Sequence, residues 1–344
     1  MKYKEIIDFN YDIIKYKVTT ILKIVGFIKY NNLDFDILSY YNKKDRYYHN
    51  FDHIVYLFYI LSDFLKNLSP KENLELSLSI IFHDIIYNPK ESDNEYKSAE
   101  FFKKICDENN IGKDFDIDVV YNLILDTKYH DLNKATNDLS KKLIMADLSI
   151  LGLDLDDLIE YENKIFKEYQ FVDYNTYKEK RIEFLKNVNI QNNNITDLIK
   201  YIENRKIKIG LYPGSFNPFH KGHLNILEKS EKIFDKVIIA YGNNPNKTYN
   251  ERIIPNEISN REIIFFDKML TDLISSLPYD ITIIRGLRNS TDFQFELNQY
   301  RFLQELDKNI NVISIFCDKD YEHISSSALK ILDFYGKEHK YNIY

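Results

Sequence analysis

The sequence predicts two domains of different class: an all-α domain, then an α/β domain on a doubly wound parallel sheet. Three observations carry this. The chain has 344 residues, about two domains at roughly 150 residues each. Six of the nine glycines (Gly210, Gly214, Gly222, Gly242, Gly286, Gly336) and five of the seven prolines (Pro213, Pro218, Pro245, Pro255, Pro278) fall after residue 208. Helical periodicity dominates before about residue 200, and short β-branched runs alternate with turns after it.

In the first part, Leu57, Phe58, Leu61, Phe64 and Leu65 follow one helical face. Leu74, Leu76, Leu78, Ile80 and Ile81 mark a more buried helix, and further helices are expected at 118–129, 139–148, 156–170 and 174–188. The polar break Gln191-Asn192-Asn193-Asn194 precedes a connecting helix at 195–205. Strands are expected at 207–211, 236–241, 262–266, 281–284 and 312–316, with helices between them, one of them at 224–233. These elements divide the chain into a helical domain at 1–190, a linker at 191–206 and an α/β domain at 207–344, separable by proteolysis of the linker.

Composition narrows the function classes. The apolar share is 44% and the charged share 29%, as in a folded globular protein. The apolar run at 21–28 is broken by Lys23 and far shorter than a spanning helix, and the N-terminus has no signal-peptide pattern. Two distant cysteines, Cys106 and Cys317, exclude a disulfide framework and fit a reducing compartment, so a cytoplasmic protein without a membrane partner is expected. A net charge of −7 offers no general attraction for nucleic acid. A homo-oligomer is compatible with the sequence.

The histidines of the first domain stand beside carboxylates. His49 and His53 are spaced to share a helical face, His83-Asp84 closes a buried apolar run, and His130 ends an expected helix. Asp147 is a carboxylate in an apolar stretch, where an unpaired charge is costly and a cation offsets the cost. Such a set suits Mn, Fe, Co, Zn or Mg.

Arg46-Tyr47-Tyr48-His49-Asn50, His53-Ile54, Phe82-His83-Asp84-Ile85-Ile86-Tyr87, Asn94-Glu95, Ser98-Ala99, Thr127-Lys128-Tyr129-His130, the segment 146–152 and Glu168-Tyr169 together resemble the predicted metal-dependent phosphohydrolases of the HD superfamily. The resemblance covers most of 35–188. It implies that His49, His83, Asp84 and Asp147 bind a divalent metal that activates water. His53 and His130 are then expected near the site, for substrate phosphate, a second ion or proton transfer, and Arg46 is expected to pair with phosphate. The substrate stays open.

In the second domain a strand runs into Tyr212-Pro213-Gly214-Ser215-Phe216-Asn217-Pro218-Phe219-His220-Lys221-Gly222-His223 and then an amphipathic helix. The N–H groups of a helix start attract phosphate, and Gly222 lets a polyanion approach the backbone. The element is no P-loop, since no Gly-Lys-Ser/Thr occurs. The His-Lys-Gly-His element is the signature of a nucleotidyltransferase superfamily. With Asn244-Pro245-Asn246-Lys247, Arg285-Gly286-Leu287-Arg288-Asn289, Asp292-Phe293-Gln294-Phe295-Glu296 and His323-Ile324-Ser325-Ser326-Ser327, residues 208–332 resemble the pantetheine-phosphate adenylyltransferases of that superfamily.

That resemblance implies a Rossmann-like fold and adenylyl transfer from ATP, with Mg²⁺, to 4′-phosphopantetheine, giving dephospho-coenzyme A and pyrophosphate. Ser215, His223, Lys247 and Arg288 are implied around the reacting phosphates. Gly214, Phe216, His220, Arg285, Gly286, Glu296, Ser325, Ser326 and Ser327 are implied for ATP. Asn217 stands where the family usually has Asp, and His220 where Thr is common. The segment between Lys247 and Arg285 is shorter than in the family, which leaves another small phosphate acceptor open, with the helical domain then a regulatory module binding a nucleotide or metal.

Overall fold

The computed structural model describes residues 2–27, 36–188, 190, 192–242, 253–335 and 341. The chain divides into two compact units. One contains Met1–Glu168 and Lys178–Glu203, the other Tyr169–Tyr177 and Asn204–Tyr344. The second unit is thus discontinuous in sequence, a feature that the single boundary expected at 191–206 does not contain.

The described residues before 205 form helices and turns without strands. The helices are α1 (Tyr3–Ile24), α2 (Ile37–Tyr41), α3 (Phe51–Ile60), α4 (Ser62–Lys66), α5 (Pro70–Phe82), α6 (Asn94–Asn109), α7 (Ile117–Asp126), α8 (Asp138–Asp147), α9 (Leu155–Glu168), α10 (Tyr174–Asn187) and α11 (Asn193–Asn204). Capping sets several starts: Ser69 and Glu72 form a capping box with Pro70 in the first turn of α5, and Asn50, Asp116 and Asn137 cap α3, α7 and α8. The last two turns of α5 are buried on every side, and α3, α5 and α8 supply the inner wall of this unit. None of the described helices is long and apolar enough to cross a membrane.

The second unit carries β1 (Ile209–Gly214), α12 (Lys221–Ser230), β2 (Lys236–Gly242), β3 (Ile263–Phe266), α13 (Leu270–Ser276), β4 (Ile281–Leu287), α14 (Ser290–Leu306), β5 (Asn311–Phe316) and α15 (Ser326–Phe334). The five strands are parallel in the order β3-β2-β1-β4-β5, with Leu211 in register with Ile238 on one side and Ile283 on the other. Alternate side chains feed two layers. Tyr212, Val237, Ile239 and Ile284 pack with Ile226 and Leu227 of α12, while Leu211, Ile238, Ala240 and Ile281 pack with Leu273 of α13. α12 begins three residues before the helix expected at 224–233, because His220 caps it.

Segment Tyr169–Tyr177 is held to this unit by a buried ammonium. Lys236 Nζ donates to the carbonyls of Gln170 (2.6 Å) and Val172 (2.8 Å) and pairs with Glu262 at 3.0 Å. Tyr279 Oη donates to Asp173 at 2.7 Å. Apolar surroundings make each partner necessary, since a buried charge left without them costs several kcal/mol.

Candidate functional site

From β1 the chain winds on to β2, and from β4 to β5 on the opposite side of the sheet. The ends of β1 and β4 therefore flank the switch point at which doubly wound sheets hold ligands. A cleft of about 380 Å³ lies there. Ser215 lines it after β1, with His220, Gly222 and His223 at the start of α12, and Gly286 and Arg288 at the end of β4. Glu296 of α14 and Ser325, Ser326 and Ser327 at the start of α15 complete the set.

The two histidines cap one another. His220 Nδ1 accepts from the backbone N–H of His223, and His223 Nδ1 accepts from that of His220, each at 3.3 Å. Their rings stack at 3.6 Å between centroids. A ring nitrogen that accepts carries no hydrogen, so in each neutral imidazole Nε2–H is the remaining donor. Burial, reinforced by Arg288, holds the His220 pKa down to about 4. Burial, then His220 and Arg288, hold His223 well below the usual imidazole range. The cleft thus has two N–H donors without charge. Gly222 makes room for the pair, since a Cβ there would lie 3.1 Å from the His220 ring.

Arg288 supplies the fixed charge. Its Nε and Nη2 donate to the two oxygens of Asp292 at 2.8 Å, and its backbone N–H donates to the same carboxylate at 3.0 Å. Arg285 pairs with Glu296 at 3.2 Å. Burial lowers the Arg285 pKa and raises that of Glu296, and each partner opposes the other's shift. Ser325 caps α15 by accepting from Ala328 N–H, and Ser326 Oγ donates to the Pro218 carbonyl at 3.1 Å, tying the two loops together.

Three of the expected nucleotide-side residues lie off the cleft wall. The ring of Phe216 does not face the cleft: at a backbone φ of 42° it is buried, with ring centroids of Tyr212, Phe219, His223 and Tyr241 about 5 Å away. A Cβ on Gly214 would lie 2.7 Å from that ring, so this glycine makes room for the Phe216 side chain. Gly214 and Arg285 are absent from the cleft lining, and Arg285 reaches it through Glu296. Lys247 lies outside the described residues.

Residues 211–331 match the cytidylyltransferase-like family. A phosphopantetheine adenylyltransferase of Mycoplasma capricolum is 41% identical over 140 residues, which is 38% of this chain and the whole of the relative. One of Mycoplasma mycoides is 40% identical over 140 residues, again 38% of this chain and all of the relative. One of Clostridium botulinum is 34% identical over 139 residues, 38% of this chain and 84% of the relative. The chain belongs to the phosphopantetheine adenylyltransferase family. In this adenylyltransferase-family chain, the nucleotidyltransferase part is the C-terminal α/β unit, and the helical unit lies outside the matched 211–331.

The helical unit has its own constellation. His53 on α3 lies with Nε2 3.2 Å from His83 Nε2, 3.1 Å from Asp147 Oδ1 and 3.9 Å from Asp84 Oδ2. His83 Nε2 is 3.2 Å from Asp84 Oδ2, and His130 Nε2 is 3.0 Å from Asp147 Oδ2. One atom each from His53, His83 and Asp84 lies within 4.8 Å of the others. Donors bonded to one ion at about 2.1 Å stand roughly 3–3.4 Å apart, so the donor set and spacing fit a divalent cation. His83 Nδ1 bonds the Ile80 carbonyl at 3.0 Å, which leaves Nε2 as its ligand atom. Among the described residues, buried His53 Nδ1 has no hydrogen-bond partner.

Burial opposes charge on His83, but Asp84 and Asp147 outweigh it and hold its pKa up to about 9. Burial likewise opposes ionisation of Asp84 and Asp147, and the surrounding histidines overcome it, keeping both well below the usual carboxylate range.

Several expectations change here. His49 does not share a helical face with His53, because it precedes the Asn50 cap of α3; its Nδ1 instead meets Glu168 at 2.6 Å. His53, expected beside the site, is at its centre. Asp147 is not unpaired, as it faces His53 and His130. Arg46 is buried and donates to the carbonyls of His49, Asp84 and Ile85, so its guanidinium shapes the loops and is not displayed to phosphate. Glu168 had no expected role, though its place beside Tyr169 in the quoted segment marked it.

Proposed function

We propose that the C-terminal unit transfers the adenylyl group of MgATP to 4′-phosphopantetheine, forming dephospho-coenzyme A and pyrophosphate. The observation that carries this is the reciprocal cap of His220 and His223, which aims two neutral Nε2–H donors into a cleft walled by Arg288. Family membership and the names of the relatives support the substrate pair.

An acceptor phosphate oxygen attacks the α-phosphorus as the bond to the bridging oxygen of pyrophosphate breaks. Charge gathers on the α-phosphoryl oxygens, where His223 Nε2–H and Arg288 donate. The work is positioning and electrostatics, without a covalent enzyme intermediate. Because both histidines are neutral, they donate hydrogen bonds without competing with Arg288 for the anion. Asp292 fixes the fork of Arg288, while Glu296 and the three serines contribute to the nucleotide side.

The test is pyrophosphate release with MgATP across candidate acceptors, using the full chain and Asp84→Ala. Release with phosphopantetheine is expected. Release only with another phosphate would change the acceptor, and none with any acceptor despite MgATP binding would make the unit a nucleotide sensor.

A second reading is favoured by the His53, His83, Asp84 and Asp147 cluster: the helical unit is a metal-dependent phosphohydrolase. A bound divalent ion supplies acidified water and a polarised phosphoryl oxygen. His53, His83, Asp84 and Asp147 would hold it, with His49 alongside, and His130 orients Asp147. Cation binding without phosphate release from any phosphoester, together with a metal effect on the transferase, would make the unit regulatory.

A further inference from the structure

We propose that Glu168 is the positioning residue of the cation site in the helical unit: it fixes His49 with hydrogen on Nδ1 and presents Nε2 to a divalent cation. The inference rests on the phosphohydrolase reading of that unit. Glu168 ends α9 and is 1% exposed. Its Oε1 accepts the backbone N–H groups of Tyr47 (2.8 Å), Tyr48 (2.7 Å) and His49 (2.9 Å). Its Oε2 accepts from Tyr87 Oη at 2.9 Å and contacts His49 Nδ1 at 2.6 Å. A carboxylate that takes four other donors can only accept from the ring, so Nδ1 carries the hydrogen and Nε2 keeps its lone pair.

The ring plane is fixed as well. Tyr87 stacks on His49 at 4.2 Å and 26°, and Tyr48 meets it edge-on at 5.0 Å. The His49 and His53 ring centroids are 6.1 Å apart. Imidazoles bound to one ion at about 2.1 Å have centroids no more than roughly 6.5 Å apart, so both rings can serve the same cation. Carboxylate–histidine pairs of this kind orient metal ligands and raise their basicity. One side chain thus shapes the 47–49 loop and selects the tautomer of the ligand that the loop carries.

The experiment titrates the full chain with Co²⁺, reading affinity and the visible absorption of the bound ion. Glu168→Gln keeps the shape and an acceptor for the backbone N–H groups, but its amide donates to Nδ1 and drives the hydrogen to Nε2. The expected result is a Co²⁺ affinity lower by roughly 10–100-fold, an altered spectrum and no further loss when Glu168→Gln is added to His49→Ala. Unchanged affinity in Glu168→Gln, or an equal loss with and without His49, overturns the proposal, because Glu168 then acts on the fold alone. Absence of binding by the wild type to Co²⁺, Mn²⁺ or Zn²⁺ instead overturns the phosphohydrolase reading itself. Should Glu168→Gln fail to fold, hydrogen–nitrogen correlation spectra of the Zn²⁺-loaded wild type decide. Hydrogen on Nδ1 and ligation at Nε2 of His49 are expected, and ligation at Nδ1 or none at all overturns the assignment.

Discussion

His83 of the helical unit and the paired histidines of the α/β unit are shifted in opposite directions, while burial lowers His53 as it lowers the pair. In the helical unit, Asp84 and Asp147 surround His83 and hold it charged up to about pH 9. In the α/β unit, burial and Arg288 strip His220 and His223 of charge. A cluster rich in carboxylates suits a cation, whereas a cleft with a fixed guanidinium and neutral donors suits an anion. The same residue type therefore says little until its neighbours are known.

The contrast predicts separable losses. Asp84→Ala should abolish cation binding by the helical unit, read as metal content per chain, while pyrophosphate release stays within roughly twofold, as for independent sites. A large fall in release would join the two sites into one system. His223→Ala should lower kcat for pyrophosphate release by ~10²–10³ with little change in ATP affinity, as for loss of one oxyanion donor. Steady-state kinetics check it, and a change confined to KM would reassign His223 to ground-state binding.

Smaller effects sharpen the anion side. On the proposed nucleotide role of Glu296, to which Arg285 is paired, Arg285→Ala should raise KM for ATP about tenfold with kcat nearly unchanged. The neutral histidines should also leave a mark on stability. His220 has a folded pKa of about 4 against an ordinary value of 6.5, so the unfolded chain binds the extra proton between them. Its contribution is complete above about 6.5 and falls as pH drops toward 4. Thermal unfolding of the full chain against His220→Asn should show a steeper acid-side decline in the wild type.

Much of the α/β site was legible because its residues come in short runs at strand ends. The β-branched runs marked the five strands, and the glycine and proline punctuation marked the turns between them. The loop 212–223 carries its own chemistry in sequence order. What escaped was geometry built by distant neighbours. Histidine is an unusual N-cap, so the mutual cap of His220 and His223 has no standard sequence signal. Phe216 looked available in a loop, but its φ of 42° turns the ring into the core. In the helical unit the clustered side chains come from α3, the end of α5 and α8, so their nearness depends on packing. Spacing could not show that His53 would be central or that His49 would precede its helix. Glu168 lies about 120 residues from its three N–H donors, which no local pattern reports.

The excursion of Tyr169–Tyr177 has a consequence for how the chain comes apart. Gln170 and Val172 offer their carbonyls to Lys236, yet they are joined covalently to the helices on either side. A nick between 178 and 203 would therefore yield a split protein. The shorter C-terminal piece would keep its sheet but lose covalent possession of two acceptors for a buried ammonium, and the longer N-terminal piece would carry them as a complementing fragment. The pieces would reconstitute by fragment complementation, and the C-terminal unit expressed from residue 204 would be a different thermodynamic object from the same unit in the intact chain.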